Sequence, residues 1–284
     1  MTGERTVLVV GHADRPDAGV LARRAEDWLC ENGCRVVATD DDRRILGLTR
    51  ADVWMPDLTP SLALSVGGDG TVLRAVKLVG EKESPILGVN VGLLGYLTAV
   101  EPPAMLDALA DFFAGRLTTE SRFVLDVAVH STSGVTRHRA LNEASLEKLT
   151  AGHTVRLQMR LDDAPFTTYQ ADGMIVATPT GSTAYSLSAR GPILSPLMKA
   201  IVVTPLSPHM LFDRSLVLAS FETVEMEVTG SRAVGLAVDG EYLGVLEPGD
   251  RIVCSEAPHP AKFVKVHGER FHDVLKSKFG LADR

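Results

Sequence analysis

A glycine-rich turn that carries one carboxylate is the clearest candidate for chemistry in this sequence. The turn is Gly67-Gly68-Asp69-Gly70-Thr71, and the apolar run before it, Leu62–Val66, predicts a buried strand. The residues Val72–Val79 predict the start of a helix. Glycines between a strand and a helix let backbone N–H groups approach an anion closely, and the helix N-terminus adds further donors. We therefore expect this turn to bind phosphate.

Asp69 is the unexpected member of the turn, because a carboxylate among phosphate-binding glycines repels phosphate. Its presence is explained if it binds a metal ion, orients a hydroxyl group or accepts the proton of that hydroxyl. The alternative interpretation is a tight turn in which the Asp69 side chain caps the helix N-terminus.

In a second segment, Asp172–Ser188, a predicted buried strand ends in a cluster of small and hydroxyl-bearing residues and leads into a short predicted helix. The small residues permit close approach of the backbone to a ligand, and Tyr185 supplies an aromatic wall with a polar tip. Hydroxyl groups come from Ser182, Thr183 and Ser186. The alternative is a Ser/Thr-rich capping turn. The segment lacks the Gly-x-Ser-x-Gly nucleophile elbow, so it does not predict a serine hydrolase.

The pair Asn142-Glu143 interrupts an otherwise regular strand pattern. Asn offers a donor and an acceptor and Glu an acceptor, so the two side chains together can bind ribose hydroxyls or a base edge. The alternative is an ordinary exposed strand end. The eight histidines show no metal-ligand spacing, and His209, in a proline-rich loop, is predicted to be a packed or capping residue.

The elements that must position the glycine turn alternate between strand and helix. Strands are predicted at Thr6–Val10, Arg35–Ala38, Leu62–Val66 and Ile86–Val89, and a helix at Asp17–Glu31 with Asp17 as its cap. The stretch from Thr39 to Arg44 is polar and acidic, and Asn90–Thr98 is predicted to be a loop. This alternation predicts a parallel sheet covered by helices, with ligands bound beyond the carboxyl ends of the strands.

The pattern changes after a predicted amphipathic helix at Pro102–Gly115. Apolar and polar residues then alternate in Leu125–His130, Val155–Asp162 and Val224–Thr229, which predicts antiparallel strands with one polar face. The predicted fold class is therefore an α/β N-terminal domain with a parallel sheet, followed by a C-terminal all-β, sandwich-like domain. We place the first domain at residues 1–100 with the tail 261–284, and the second at 101–260; the tail includes a predicted helix at Glu269–Phe279.

Composition excludes several classes of protein. A net charge of -7 without a basic stripe, and an aromatic content of 5%, disfavour a nucleic-acid partner. The first apolar run, Val7–Val10, is too short for a signal peptide, and no segment approaches a membrane span, so we expect a cytoplasmic protein without a membrane partner. The three cysteines, Cys30, Cys34 and Cys254, predict reduced thiols that fill space.

The usual nucleotide-binding fingerprints are missing. The first strand is followed by Gly11-His12-Ala13-Asp14 rather than by Gly-x-Gly-x-x-Gly, and no Walker A sequence occurs. A typical dehydrogenase or P-loop enzyme is therefore not predicted.

Taken together, these segments resemble the NAD kinase family. The glycine motif alone is shared with diacylglycerol kinases and 6-phosphofructokinases, whereas the run Asp172–Ser188 is highly specific. The matching segments occur in the family's order: Gly67–Thr71, Gly88–Thr98, Asn142-Glu143, Asp172–Ser188, Thr204–His209 and Asp239-Gly240.

The resemblance implies phosphorylation of the adenosine-ribose 2′-hydroxyl of NAD by ATP or polyphosphate, with a divalent metal such as Mg²⁺, in a homodimer or homotetramer. It makes Asp69 the candidate catalytic base, and Gly67, Gly68, Gly70 and Thr71 the loop that holds the phosphate donor. No metal ligand is assigned to the protein. The NAD-binding residues that the resemblance implies are Asp69, Gly70, Arg74, Asn142, Glu143, His153, Gln170, Asp172, Thr183, Ala184, Tyr185, Ser186, Leu187, Ser188 and Glu241.

The sequence departs from the family pattern at a few positions. The family usually has two glycines before the proline that follows the hydroxyl-rich turn, but here the residues are Arg190-Gly191-Pro192. Glu241 stands where Gln usually follows Asp-Gly, Gln170 replaces a basic or small residue, and Ser215 replaces the proline after Arg214. Two alternatives stay open: a paralogue of the same fold that phosphorylates another nucleotide or nucleoside, and a non-catalytic dinucleotide-binding regulator.

Overall fold

The structure is a computed structural model that describes residues 5–92, 95–266 and 270–281. The chain divides into two compact units, one made of residues 1–121 and 261–284 and the other of residues 122–260. The division falls later than the boundary expected at residue 100. The helix that follows residue 101 remains in the first unit because its apolar residues Met105 and Leu109 are part of that unit's core.

Strands and helices alternate in the first unit. Its strands before residue 123 are β1 (Arg5–Gly11), β2 (Cys34–Ala38), β3 (Asp52–Val53), β4 (Leu62–Gly67), β5 (Ile86–Asn90) and β6 (Thr118–Arg122). Its helices there are α1 (Pro16–Glu31), α2 (Asp40–Leu46), α3 (Asp69–Val79) and α4 (Met105–Phe113), with short 3₁₀ turns at Gly80–Lys82 and Pro102–Ala104.

The second unit is almost entirely strand. Its first six strands are β7 (Leu125–Ser131), β8 (Gly134–Ala140), β9 (Glu143–Lys148), β10 (Val155–Leu161), β11 (Ala164–Ala171) and β12 (Gly173–Ala177). A 3₁₀ turn (Gly181–Thr183) and the four-residue helix α5 (Tyr185–Ser188) follow. The remaining strands are β13 (Ala200–Leu206), β14 (Leu216–Ala219), β15 (Val224–Val228), β16 (Val234–Val238), β17 (Glu241–Leu246) and β18 (Arg251–Glu256). The tail returns to the first unit with β19 (Ala261–Lys265) and α6 (Phe271–Phe279).

The sheet of the first unit has the order β3-β2-β1-β4-β5-β19-β6. Neighbouring strands from β3 to β19 are parallel. In the register, Gly11 lies opposite Val66 and Gly67 lies opposite Asn90, so β1, β4 and β5 end at the same edge. The segments that follow these three strands therefore meet at one place, which includes the glycine turn.

The second unit is a sandwich of two six-stranded sheets, with the orders β11-β10-β15-β18-β7-β8 and β14-β13-β12-β9-β16-β17. All neighbouring strands within these sheets are antiparallel. Side chains of both sheets form one apolar core, for example Met226 from the first and Val176 from the second. The predicted fold class, α/β followed by an all-β sandwich, is confirmed.

Several local predictions need correction. The polar stretch after Thr39 forms helix α2, because the Thr39 hydroxyl accepts the Asp42 N–H and Gly47 ends the helix with a φ of 68°. Asp17 is not the cap of α1: Arg15 occupies the N-cap position and Asp17 lies in the first turn. Helix α6 begins at Phe271, and Glu269 of the predicted tail helix lies outside the described residues.

All three cysteines are free thiols, and Cys34 and Cys254 are buried. Burial raises the pKa of the Cys254 thiol to about 12. Over the part of the chain that the structure describes, helices with both the length and the apolar composition to cross a bilayer are absent.

Candidate active site

The Asp69 carboxylate is held by backbone amides from the loop after β5. Asp69 is the first residue of α3, and Gly68 occupies the N-cap position, so Asp69 does not cap this helix. Its Oδ2 accepts the Tyr96 N–H at 2.9 Å and its Oδ1 accepts the Leu97 N–H at 3.0 Å. Two amides thus fix the carboxylate at the edge of the sheet. Leu93 and Leu94 of the same loop lie outside the described residues.

Two glycines around this carboxylate have no room for a side chain. A Cβ on Gly67 would lie 2.2 Å from the Thr71 hydroxyl oxygen, and a Cβ on Gly95 would lie 2.1 Å from Asp69 Oδ1. Gly68 and Gly70 instead face open space, since a Cβ on either would meet no atom within 4 Å. The turn is therefore tight on its protein side and open on the other.

The open side of the turn faces a cavity of about 400 Å³. Two guanidinium groups, a histidine and three residues of the glycine motif surround it. The lining residues are Gly11, His12, Ala13, Arg15, Gly68, Gly70, Thr71 and Arg74. Cations and helix N-terminal amides around one cavity favour an anionic ligand.

Arg74 is held in place by an ion pair with the buried Asp42 of α2. Its Nη2 donates to the Gly11 carbonyl at 2.8 Å and forms an ion pair with Asp42 Oδ1. Asp42, whose side chain is only 3% exposed, also accepts the Gly11 N–H and the Thr39 hydroxyl. Arg74 therefore lines the cavity in a fixed position.

In the second unit, the Asn142-Glu143 pair lies at the start of β9, and the residue that anchors it is Asp239. The Asp239 carboxylate accepts the backbone N–H groups of Leu141 at 2.8 Å, Asn142 at 2.7 Å and Glu143 at 3.2 Å. The Asp239 N–H in turn donates to the Glu143 carbonyl at 2.9 Å. These hydrogen bonds hold the backbone of Asn142 and Glu143 in one position.

The Glu143 side chain is buried, with 6% of its surface exposed. Burial and, to a smaller extent, the nearby Asp239 raise the pKa of its carboxyl, the Tyr185 N–H lowers it, and the net result is a pKa of about 7. Its Oε2 has no hydrogen-bond partner among the described residues. A buried acid with one unsatisfied oxygen is prepared to bind a polar ligand group.

The hydroxyl-rich turn packs directly on the Asn142-Glu143 pair. A Cβ on Gly181 would lie 2.0 Å from the Asn142 carbonyl oxygen, so only glycine permits this contact. The Ser182 hydroxyl donates to the Pro179 carbonyl at 2.7 Å, and the Ser186 hydroxyl bonds that of Thr204 at 3.0 Å. Both serines are fully buried, so these two hydroxyls serve the turn itself, as the capping alternative expects.

The other predicted residues of this turn are more accessible. The Thr183 hydroxyl donates to the Thr180 carbonyl at 3.1 Å, and the Tyr185 hydroxyl donates to Glu147 at 2.9 Å. Ala184 and Leu187 are half-buried, and Ser188 is exposed.

Asp172 lies at the opposite end of β12 from this group. It precedes Gly173, which pairs with Glu147, whereas Glu143 pairs with Ala177 at the other end. Along the strand, Asp172 is about 17 Å from Ala177, the residue opposite Glu143. The Asp172 carboxylate forms an ion pair with Lys148 Nζ at 2.7 Å.

The three remaining predicted residues are exposed and lie at strand ends or edges. The Gln170 amide donates to the hydroxyl of Thr154 at 3.2 Å, which brings it close to the turn that contains His153. Glu241 begins β17 directly after the Asp239-Gly240 turn. The structure therefore groups Asn142, Glu143 and the hydroxyl-rich turn, and places His153 and Gln170 together elsewhere in the second unit.

Sequence reasoning missed Arg15, Asp42 and Asp239. The signal for Arg15 was its place just after β1, since loops that follow neighbouring parallel strands share one edge. Asp239 belongs to an Asp-Gly pair that matches the family pattern but whose role the sequence does not show, and Asp42 belongs to a segment whose composition indicates only that it is polar. No cluster of three or more His, Cys, Asp or Glu side chains able to hold a metal occurs in the described ranges.

Two protein-family models match this sequence. The ATP-NAD kinase N-terminal domain model matches residues 7–117, and the ATP-NAD kinase C-terminal domain model matches residues 141–266. The chain belongs to the NAD kinase family. Among curated members of the NAD kinase family, the chain is 34% identical to the NAD kinase of Desulforamulus reducens over 96% of both proteins. It is 35% identical to NAD kinase 1 of Streptomyces avermitilis, over 100% of this chain and 89% of the relative.

Solved structures of the NAD kinase family have the same fold. Yeast NADH kinase complexed with NADH matches with a TM-score of 0.88 and 24% identity, over 99% of this chain and 89% of the yeast chain. An NAD kinase from Archaeoglobus fulgidus in complex with ATP matches with a TM-score of 0.71 and 22% identity, over 97% of both chains.

Proposed function

We propose that this chain transfers a phosphoryl group from ATP to the 2′-hydroxyl of the adenosine ribose of NAD and releases NADP. The observation that carries the proposal is the Asp69 carboxylate, fixed by two amides beside a cation-lined cavity in a chain of the NAD kinase family. A protein that only binds a dinucleotide has no need of a carboxylate next to phosphates.

The cavity beside the glycine turn is the proposed site of the donor phosphates. The amides of Gly68 and Gly70 at the start of α3, with the guanidinium groups of Arg15 and Arg74, neutralise charge on the phosphates. Phosphoryl transfer depends mostly on such positioning and charge neutralisation. The ATP complex of the Archaeoglobus fulgidus relative supports ATP as the donor, with polyphosphate as the alternative.

Mg²⁺ is proposed to enter with ATP as part of the substrate. Mg²⁺ usually keeps several waters and is bound by one or two carboxylates together with substrate phosphates. This fits a turn with a single carboxylate and described ranges without a cluster of metal-binding side chains. Asp69 is the proposed carboxylate ligand, which would bind Mg²⁺ together with the ATP phosphates.

Asp69 is the proposed base. The new bond joins the 2′-oxygen of the ribose to the γ-phosphorus, the bond from that phosphorus to the bridging oxygen of ADP breaks, and the hydroxyl proton passes to Asp69 Oδ1 or Oδ2. The Tyr96 and Leu97 amides hold the two oxygens in place during this step.

The second unit is proposed to bind NAD. Asn142 and Glu143 bind the adenosine part, since a buried Glu143 with a free Oε2 needs a polar partner. The other proposed contacts are Asp172, the accessible residues of the Thr183–Ser188 turn, His153, Gln170 and Glu241, whereas the buried Ser186 supports the turn. The complex of yeast NADH kinase with NADH supports a dinucleotide as the ligand. The assembly is proposed to be a homodimer or homotetramer, which light scattering of the purified protein measures.

The test is NADP formation by the purified protein with NAD, ATP and Mg²⁺, with polyphosphate replacing ATP in a second series. Asp69→Asn is the control for contaminating kinases. NADP formation by the wild type and its loss in the variant support the proposal. Phosphorylation of another nucleotide instead of NAD identifies a same-fold kinase with a different acceptor, and NAD binding without any turnover identifies a regulator.

A further inference from the structure

Asp239 lies at a turn whose backbone conformation few residue types tolerate. The turn joins β16 to β17, and Asp239 has a φ of 49°, a left-handed conformation that Asp, Asn and Gly tolerate best. All three donors to its carboxylate are backbone N–H groups of consecutive residues, Leu141–Glu143. Burial raises the pKa of the Asp239 carboxyl, and the three N–H donors act against this by stabilising the ionised form. Asp239 therefore determines where the Asn142-Glu143 pair lies.

The anchored pair contains a polar group that still needs a partner. Glu143 is 6% exposed, and its Oε2 has no hydrogen-bond partner among the described residues. A native protein rarely buries such an atom without a ligand or a water to satisfy it. This observation is independent of the backbone bonds to Asp239, and it points to a ligand at the pair.

The Glu143 carboxyl faces one other carboxyl group and one tyrosine. Asp239 approaches it from the β16–β17 turn, and Tyr185, whose hydroxyl is bonded to Glu147, approaches it from α5. The neighbouring strand β12, Gly173–Ala177, carries no ionisable side chain. Burial first and Asp239 second raise the pKa of Glu143 to about 7, against a lowering by the Tyr185 N–H.

On the basis of the proposed function, we propose that Asp239 is a positioning residue for NAD binding: its carboxylate fixes the Asn142-Glu143 pair and lies against the Glu143 carboxyl. Asp239 acts through these two residues and touches no reacting atom. Its loss is therefore expected to weaken NAD binding more than it slows phosphoryl transfer.

The test compares wild type, Asp239→Asn and Asp239→Gly. Asparagine keeps the shape and the left-handed backbone but places an amide NH₂ where one N–H donor needs an acceptor. Glycine keeps the backbone freedom and removes all three bonds. We expect the dissociation constant of NAD, measured by calorimetry, to rise about tenfold in Asp239→Asn, with kcat changed less than about threefold.

A second readout separates positioning from a purely structural role. Carboxyl ¹³C NMR, with Glu143→Gln to assign the signal, gives the titration midpoint of Glu143. We expect a midpoint near 7 in the wild type and a lower one in Asp239→Asn, because a neighbouring negative charge is removed. If Asp239→Gly does not fold, Asp239→Asn still decides the question.

Asp250→Asn is the matched control. Asp250 is also buried and also holds a turn of the second unit, through a bond from the Glu247 N–H at 2.9 Å. This variant is expected to lose thermal stability without a change in NAD affinity. If Asp239→Asn behaves like it, and the Glu143 midpoint stays in place, Asp239 is structural only. A wild type that binds no NAD at all overturns the proposed function instead.

Discussion

Gly95 and Asp69 are in such close contact that a methyl group on Gly95 would lie 2.1 Å from Asp69 Oδ1. The residues directly after Gly95 supply the two amides that hold the same carboxylate. The loop after β5 thus surrounds the proposed base, and its glycine is required by space rather than by backbone conformation. The chemical nature of the Asp69 carboxylate and its position can therefore be altered separately, by substitution of Asp69 or of Gly95.

Asp69→Asn keeps the shape of the side chain and removes its ability to accept a proton. We expect kcat to fall by about 10²–10⁴, while the dissociation constant of NAD changes far less. Steady-state kinetics and calorimetry on the same preparation measure the two effects. Near-normal turnover by the variant excludes Asp69 as the base.

Gly95→Ala keeps Asp69 but pushes its carboxylate away from the Tyr96 and Leu97 amides. We expect kcat to fall by about 10–100-fold, because small displacements of a catalytic group are costly. Thr98→Ala is the matched control in the same loop, since its buried hydroxyl has no partner among the described residues and its loss leaves Asp69 in place. Equal activities of the two variants contradict a positional role for Gly95.

Asp42→Asn tests the anchor of Arg74. The variant weakens the ion pair that fixes Arg74 at the cavity, so we expect the KM for ATP to rise about tenfold with a smaller effect on the KM for NAD. Asp40→Asn is the control in the same helix, where the aspartate side chain is 80% exposed and its ion pair with Arg43 is 3.4 Å long. A similar KM for ATP in both variants shows that Arg74 needs no anchor.

The sequence predicted those parts of the fold and site that depend on local patterns. The glycine turn, the strand before it and the alternating strands of the second unit follow from residue spacing over a few positions. The positions of Asp239 and Asp42 could not be predicted in this way. Asp239 bonds Asn142 across 97 residues, and Asp42 bonds Arg74 across 32, so each depends on strand order and not on local pattern.

Glu143→Gln tests the pH dependence of stability. The pKa of Glu143 is raised from 4.5 to about 7 in the folded protein, so the folded state binds this proton more tightly than the unfolded state. Its contribution to stability is complete below pH 4.5 and is lost as the pH rises through about 7. We expect the variant to match wild type at pH 4.5 and to exceed it by about 1–3 kcal/mol at pH 8 in urea unfolding. A difference that does not change with pH contradicts the raised pKa.

Arg190→Gly tests whether the departure from the family pattern affects the substrate or only the backbone. Arg190 is exposed and has a φ of 64°, a left-handed conformation that disfavours residues with a Cβ. The next residue, Gly191, must be glycine for a different reason, because a Cβ there would lie 2.2 Å from the Ser186 hydroxyl oxygen. We expect Arg190→Gly to stabilise the protein by about 0.5–1 kcal/mol in urea unfolding, since relief of strain exceeds the entropy cost of glycine. We also expect kcat/KM for NAD to change less than about tenfold, because an exposed side chain that points to solvent leaves the pocket unaltered.

Ala189→Gly is the matched control: Ala189 has a φ of -84°, so glycine there brings only its entropy cost and lowers stability. If wild type forms no NADP and Arg190→Gly does, the arginine blocks the pocket, and the natural acceptor of this kinase is a different molecule.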